Sequence, residues 1–120
     1  MCHVEVNITK GFDSDERKLS FHDRDVLTHS LNGFVDSAKD GLFPKKLYRR
    51  RDFVYPDGIK RADSSLYMLK VSSGLYVILA YDSDVIFDQK IITLFRVVKK
   101  TSATQAFNTT ASLIYAKNAS

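Results

Sequence analysis

Residues 65–99 constrain the fold more tightly than any other stretch of the chain. Leu66–Val71, Leu75–Tyr81 and Lys90–Val98 are apolar runs rich in Val, Ile, Leu and Tyr, and Ser72-Ser73-Gly74 separates the first two. A tight glycine-containing turn between two such runs predicts a β-hairpin. Asp82-Ser83-Asp84 opens a longer turn. The run after it is almost continuously apolar, the pattern of a strand buried on both faces. Its one internal charge, Arg96, falls on the face of Ile92 and Leu94 by two-residue alternation.

The flanking segments supply what covers this sheet. His3–Thr9 alternates, with Val4, Val6 and Ile8 on one side and Glu5, Asn7 and Thr9 on the other, which predicts a half-buried strand. Asp13-Ser14-Asp15-Glu16 reads as a helix start, since acids favour the positive end of a helix dipole, and Asp23 marks a second start. Val26, Leu27, Leu31, Phe34, Val35 and Ala38 recur at helical spacing through residues 24–39, and Gly41 stands where a left-handed cap is usual. Residues 42–64 are irregular: a short strand is expected near Tyr48–Tyr55, then the turn Pro56-Asp57-Gly58 and a loop carrying Lys60 and Arg61. After Lys99-Lys100, Thr101 or Ser102 can cap a last helix to about Ala116. Its inner stripe would be Ala103, Ala106, Phe107, Thr110, Leu113 and Ile114. The order predicts an α+β fold of two layers, a small antiparallel sheet of four or five strands with helices over one face. Residues 1–120 read as a single domain, a length that buries a modest core without staples.

Charge is unevenly distributed. Residues 1–40 carry five basic and eight acidic side chains, net −3. Residues 41–61 carry Lys45, Lys46, Arg49, Arg50, Arg51, Lys60 and Arg61 against two acids, net +5. The remainder is +2. A basic block of this density fits a polyanion or an acidic protein partner, or else a solvated face. No apolar run approaches the ~20 residues of a membrane span, and the N-terminal residues do not read as a secretory signal, so a cytoplasmic protein is expected. The single cysteine, Cys2, excludes an internal disulfide.

Most catalytic constellations are missing from the sequence. His3, His22 and His29 lie at spacings that make no metal site, and no phosphate-binding glycine loop or nucleophile elbow occurs. No metal and no cofactor is expected. The basic set interleaved with Tyr48, Tyr55, Tyr67, Tyr76 and Tyr81 is what stands out. Cations hold phosphates and tyrosine rings stack bases, the composition of a single-stranded RNA surface. Each tyrosine taken singly fits core packing, and Arg96 alone fits a strand-end residue reaching water.

Leu66-Tyr67-Met68-Leu69-Lys70-Val71, Ser72-Ser73-Gly74-Leu75-Tyr76-Val77-Ile78-Leu79-Ala80-Tyr81 and Ile91–Thr101 together resemble the RelE/ParE/HigB superfamily of toxin–antitoxin toxins, most closely the HigB-type branch. The resemblance covers about residues 60–115. It implies a compact RelE-like sheet with two N-terminal helices packed on it, a short C-terminal helix and a concave basic face. It also implies metal-independent endoribonuclease cleavage of mRNA at the ribosome, translation inhibition, and a cognate antitoxin as partner. In such cleavage the 2′-hydroxyl attacks the adjacent phosphate, so the site needs cations for the phosphorane and a proton donor for the 5′-oxygen. Lys70, Tyr76, Arg96, Lys99 and Lys100 are the candidate catalytic residues. Lys45, Lys46, Arg49, Arg50, Arg51, Lys60 and Arg61 would bind RNA. Val77 stands after Tyr76 where the family has arginine. Two other readings stay open: a catalytically inactive RelE-fold protein that inhibits a protein target, of gyrase-directed, phage-inhibitor or immunity type, and a general RNA-binding α+β domain.

Overall fold

A computed structural model describes residues 3–41, 47–48 and 65–118. Along the chain these form β1 (His3–Ile8), α1 (Lys10–Arg17), α2 (Phe21–Lys39), β2 (Leu47–Tyr48), β3 (Leu66–Ser72), β4 (Leu75–Asp84), β5 (Gln89–Lys99) and α3 (Lys100–Asn118). The turn Pro56-Asp57-Gly58 lies outside the described residues, as does the part of the Tyr48–Tyr55 strand beyond Tyr48.

The strands form one five-stranded sheet in the order β1-β5-β4-β3-β2. The hairpins predicted from the turns are present, with β3 antiparallel to β4 and β4 to β5. β1 differs from an all-antiparallel sheet. It closes against β5 in parallel, His3 opposite Gln89 through Ile8 opposite Leu94. Two hairpins reverse the chain twice and leave β5 running as β1 does, and only long-range contact brings the pair together.

Both helix starts lie a few residues ahead of the acids that signalled them. Thr9 caps α1, its hydroxyl accepting from the Phe12 N–H, and Ser20 caps α2 by accepting from the Asp23 N–H. The acids sit in the first turn, where the dipole favours them, while short hydroxyls satisfy the free N–H groups. Gly41 ends this half with φ +76°, a conformation glycine adopts without strain.

The layers depart from the sequence reading. Leu27, Phe34 and Ala38 of α2 and Phe12 of α1 bury one sheet face with Tyr67, Leu69, Val77, Leu79, Ile92 and Leu94. The opposite face is also apolar: Leu66, Met68, Ile78 and Val98 pack under Ala103, Ala106, Phe107 and Ala111 of α3. The sheet is therefore sandwiched between helices, three layers rather than two. The reason is the near-continuous apolar character of β3–β5, which leaves two faces to cover. α3 spans 19 residues and is not short. Its buried stripe includes Thr110 and Ala111, whereas Leu113, expected inside, is 64% exposed.

A candidate nucleic-acid interface

Strand alternation places Lys70 and Tyr76 on the α3 side of the sheet, the side of Met68 and Ile78. They are cross-strand partners, and Tyr76 in turn opposes Val98 on β5. Lys70 is exposed and Tyr76 half-buried. Lys100, also exposed, begins α3, and its N–H donates to the Gly74 carbonyl at 2.9 Å. That bond ties the start of α3 to the turn between β3 and β4. Lys70, Tyr76 and Lys100 thus share the hairpin-turn end of the sheet, beside a helix whose first turn holds no acidic residue. Two ammonium groups, a phenol and the positive end of a helix dipole are suited to an anionic ligand carrying a flat ring.

The other two candidates of the catalytic set are engaged elsewhere. Ile78 pairs with Arg96 but Leu79 pairs with Leu94, so Phe95 is an extra residue in β5. This bulge breaks the alternation that put Arg96 with Ile92 and Leu94. Arg96 instead lines a cavity of about 310 Å³ with Phe95, Gly11 of α1 and Thr110, Leu113 and Ile114 of α3. Its guanidinium grips Asp15 of α1 with both ends, Nε to Oδ2 at 2.6 Å and Nη2 to Oδ1 at 3.1 Å. The Asp15 hydrogen bond raises the Arg96 pKa above its ordinary value, against the opposing effect of burial. Lys99 falls on the α1–α2 side and binds Asp23 Oδ2 at 3.1 Å. The Lys99 bond is the main cause that lowers the Asp23 carboxyl below its ordinary 3.8.

Asp15 carries a role that local sequence did not signal. β1 stops at Ile8, opposite Leu94, so the β5 edge beyond needs other partners. Thr9 Oγ1 lies 2.9 Å from the Leu94 carbonyl and 3.2 Å from that of Phe95, and Asp15 Oδ2 accepts the Val97 N–H at 3.1 Å. α1 therefore continues the edge where β1 ends. Gly11 permits this approach, since a Cβ there would meet the Phe95 carbonyl oxygen at 3.1 Å. Asp15 and Arg96 are 81 residues apart, so no short-range pattern could have joined them.

The tyrosines divide. Tyr67 is buried in the α1–α2 core, and Tyr81 meets Phe34 edge-on, ring centroids 5.8 Å apart at 86°. Tyr76 alone of these three lies on the α3 face. Lys45, Lys46, Arg49, Arg50, Arg51, Lys60 and Arg61 lie outside the described residues, as does Tyr55. Among the described residues, no three His, Cys, Asp or Glu side chains gather as a metal site would require. No helix among them is long and apolar enough to cross a membrane.

No family model and no curated protein matches the sequence. Solved structures do match by shape. A chain of the toxin–antitoxin complex RelBE2 from Mycobacterium tuberculosis superposes with a TM-score of 0.50 at 14% identity, covering 83% of this chain and 94% of that one. The fold is RelE-like. A chain of the RelB–RelE antitoxin–toxin complex from Methanococcus jannaschii gives a TM-score of 0.49 at 17% identity, over 84% of this chain and 98% of that one. The intact RelBE complex of Escherichia coli gives 0.45 at 18% identity, over 79% and 94%. In this RelE-like frame, Lys70 and Tyr76 belong to the β3–β4 hairpin and Lys100 to the junction of β5 with α3.

Proposed function

We propose that the chain is a toxin of a type II toxin–antitoxin system, a single RelE-like domain over residues 1–120 that acts in the cytoplasm and cleaves mRNA at the ribosome without a metal ion. The HigB-like branch is the one its hairpin sequence fits best. The observation that carries this reading is the cross-strand pair Lys70–Tyr76 beside Lys100 at one end of a RelE-like sheet. In the reaction the 2′-oxygen bonds to the adjacent 3′-phosphorus as its proton passes to water, the P–O5′ bond breaks to leave a 2′,3′-cyclic phosphate, and the departing 5′-oxygen takes up a proton. Lys70 and Lys100 supply positive charge for the phosphorane, and preorganised charge of this kind is worth about 10²–10³ in rate per donor. Tyr76 stacks on or orients the nucleotide, with its hydroxyl as the candidate proton donor to the leaving oxygen. Lys45, Lys46, Arg49, Arg50, Arg51, Lys60 and Arg61 would add charge for binding RNA, and a cognate antitoxin would be the second partner.

The test is RNA cleavage by purified protein, alone and with translating ribosomes, in the presence of EDTA. Cleavage persists in the chelator, and Lys70→Ala and Tyr76→Phe each slow it by about 10²-fold. Messenger RNA left intact in both arms overturns the assignment.

A second reading has its own support. Arg96 and Lys99 are held by Asp15 and Asp23, and Val77 stands where a hairpin arginine would be. A cationic surface with fewer groups aimed at phosphate fits a RelE-fold protein that inhibits a protein target by binding it. Intact RNA together with stoichiometric capture of one acidic protein would favour this reading.

A further inference from the structure

Among the described residues two phenylalanines stand mostly in solvent, Phe21 at 88% and Phe87 at 75% exposed. They lie at opposite ends of the sheet. Phe87 is in the turn between β4 and β5, where Asp84 Oδ1 accepts its N–H at 3.3 Å. Phe21 is the first residue of α2. Leu19 anchors the link from α1 by packing against the core, and Ser20 caps the helix, so Phe21 serves neither purpose. Asp23, two residues on, holds Lys99 at 3.1 Å, and the N–H of Lys100 bonds to Gly74. Phe21 is therefore at the hairpin-turn end of the sheet, the end that carries Lys70, Tyr76 and Lys100. It stands on the α1–α2 face, whereas Tyr76 is on the α3 face. The two phenylalanines also differ in charge setting. Residues 16–25 with Lys99 and Lys100 hold five basic and three acidic side chains, net +2. Residues 82–90 around Phe87 hold one basic and three acidic, net −2.

An exposed flat ring among cations suits single-stranded RNA, whose bases stack on the ring while its phosphates meet the charges. The same ring among acids repels it. We propose that Phe21 is a second stacking platform for RNA, with the strand passing round the hairpin-turn end from Tyr76 on one face to Phe21 on the other. This rests on the reading of the Lys70–Tyr76 pair as an RNA site. Lys99 and Lys100, at the junction of β5 with α3, lie where the intervening phosphates cross. The two rings hold different nucleotides, Tyr76 the one at the scissile bond and Phe21 one beyond it. Phe21 thus contributes affinity and register rather than chemistry. A ring face accepts any base, so this platform adds length to the bound strand without selecting its sequence.

The chain contains no tryptophan, so Phe21→Trp places a lone indole at the proposed platform. Titration of this variant with a single-stranded oligoribonucleotide should quench its emission, and the same sequence as a duplex should quench it far less. Phe21→Ala should weaken binding of that oligonucleotide about tenfold and raise KM for cleavage more than it lowers kcat. Phe21→Tyr should restore both, and Phe87→Ser should leave binding as it is. Circular dichroism confirms that each variant folds. RNA that binds and quenches position 21 but is left uncut upholds the platform and overturns the nuclease reading. RNA that is cut with position 21 unquenched, and as well bound by Phe21→Ala, does the reverse. Equal losses from Phe21→Ala and Phe87→Ser also overturn the platform, as does a chain that binds no single-stranded RNA.

Discussion

Asp15 accepts from three donors of β5, the Arg96 Nε and Nη2 and the Val97 N–H, while only 13% of its side chain is exposed. Removing it leaves an edge N–H and a guanidinium unmatched together, and groups stranded in this way cost more than the net worth of the bonds. Asp15→Ala should lower stability by about 2 kcal/mol in urea denaturation. The Arg96 side chain is 40% exposed. Water can replace its contacts in part, and Arg96→Ala should cost about 1 kcal/mol. An equal loss from both variants would show that the edge bond to Val97 contributes nothing. Read along the chain, Asp15 is one acid among several at a helix start. Its neighbours in sequence say nothing of Arg96, because the bulge at Phe95 that turns Arg96 toward α1 is a property of strand pairing.

At the scale of elements, α2 is fastened to the end of β5 by the Asp23–Lys99 pair, and this tie has a pH signature. The folded state holds Asp23 below its ordinary 3.8, chiefly through the Lys99 hydrogen bond, so folding favours the ionised carboxylate. Its contribution is fully present above the unfolded carboxylate pKa and disappears as the pH falls through the lowered folded value. Thermal melts between about pH 2 and 6 should show a steeper acid decline for the parent chain than for Asp23→Asn, with the curves parallel above about pH 5. Parallel curves throughout would mean that the pair has no energetic consequence. The elements themselves were largely legible. The hairpin, the long apolar β5 and the α2 stripe ending at Gly41 all follow from local periodicity and turn chemistry. Helix starts were displaced, since Thr9 and Ser20 cap through hydroxyls ahead of the acids.

For the whole molecule, the decisive feature is that one sheet serves two cores. Phe12 on the α1–α2 side and Phe107 on the α3 side are each at most 1% exposed, and β3–β5 separate them. Phe107→Ala should cost about 3–5 kcal/mol, as large-to-small core changes do. The loss should fall on the whole transition, because β3–β5 cannot keep one face packed after losing the other. Hydrogen exchange is the check: amides of α2 and of α3 should lose protection together. Loss confined to α3 would mean that the second core folds as a separate unit.

Local order in the chain therefore fixed the strands, the helices and an imbalance of charge, since periodicity, turns and caps act over a few residues. It also marked Lys70, Tyr76 and Lys100 as chemically useful side chains. Tertiary structure decided which of the marked residues stand together. The parallel closure of β1 on β5, the passage of α3 to the second face, and the capture of Arg96 by Asp15 and of Lys99 by Asp23 all join residues distant in sequence. Such pairings depend on the packing of complete elements, and no window of neighbouring residues contains them.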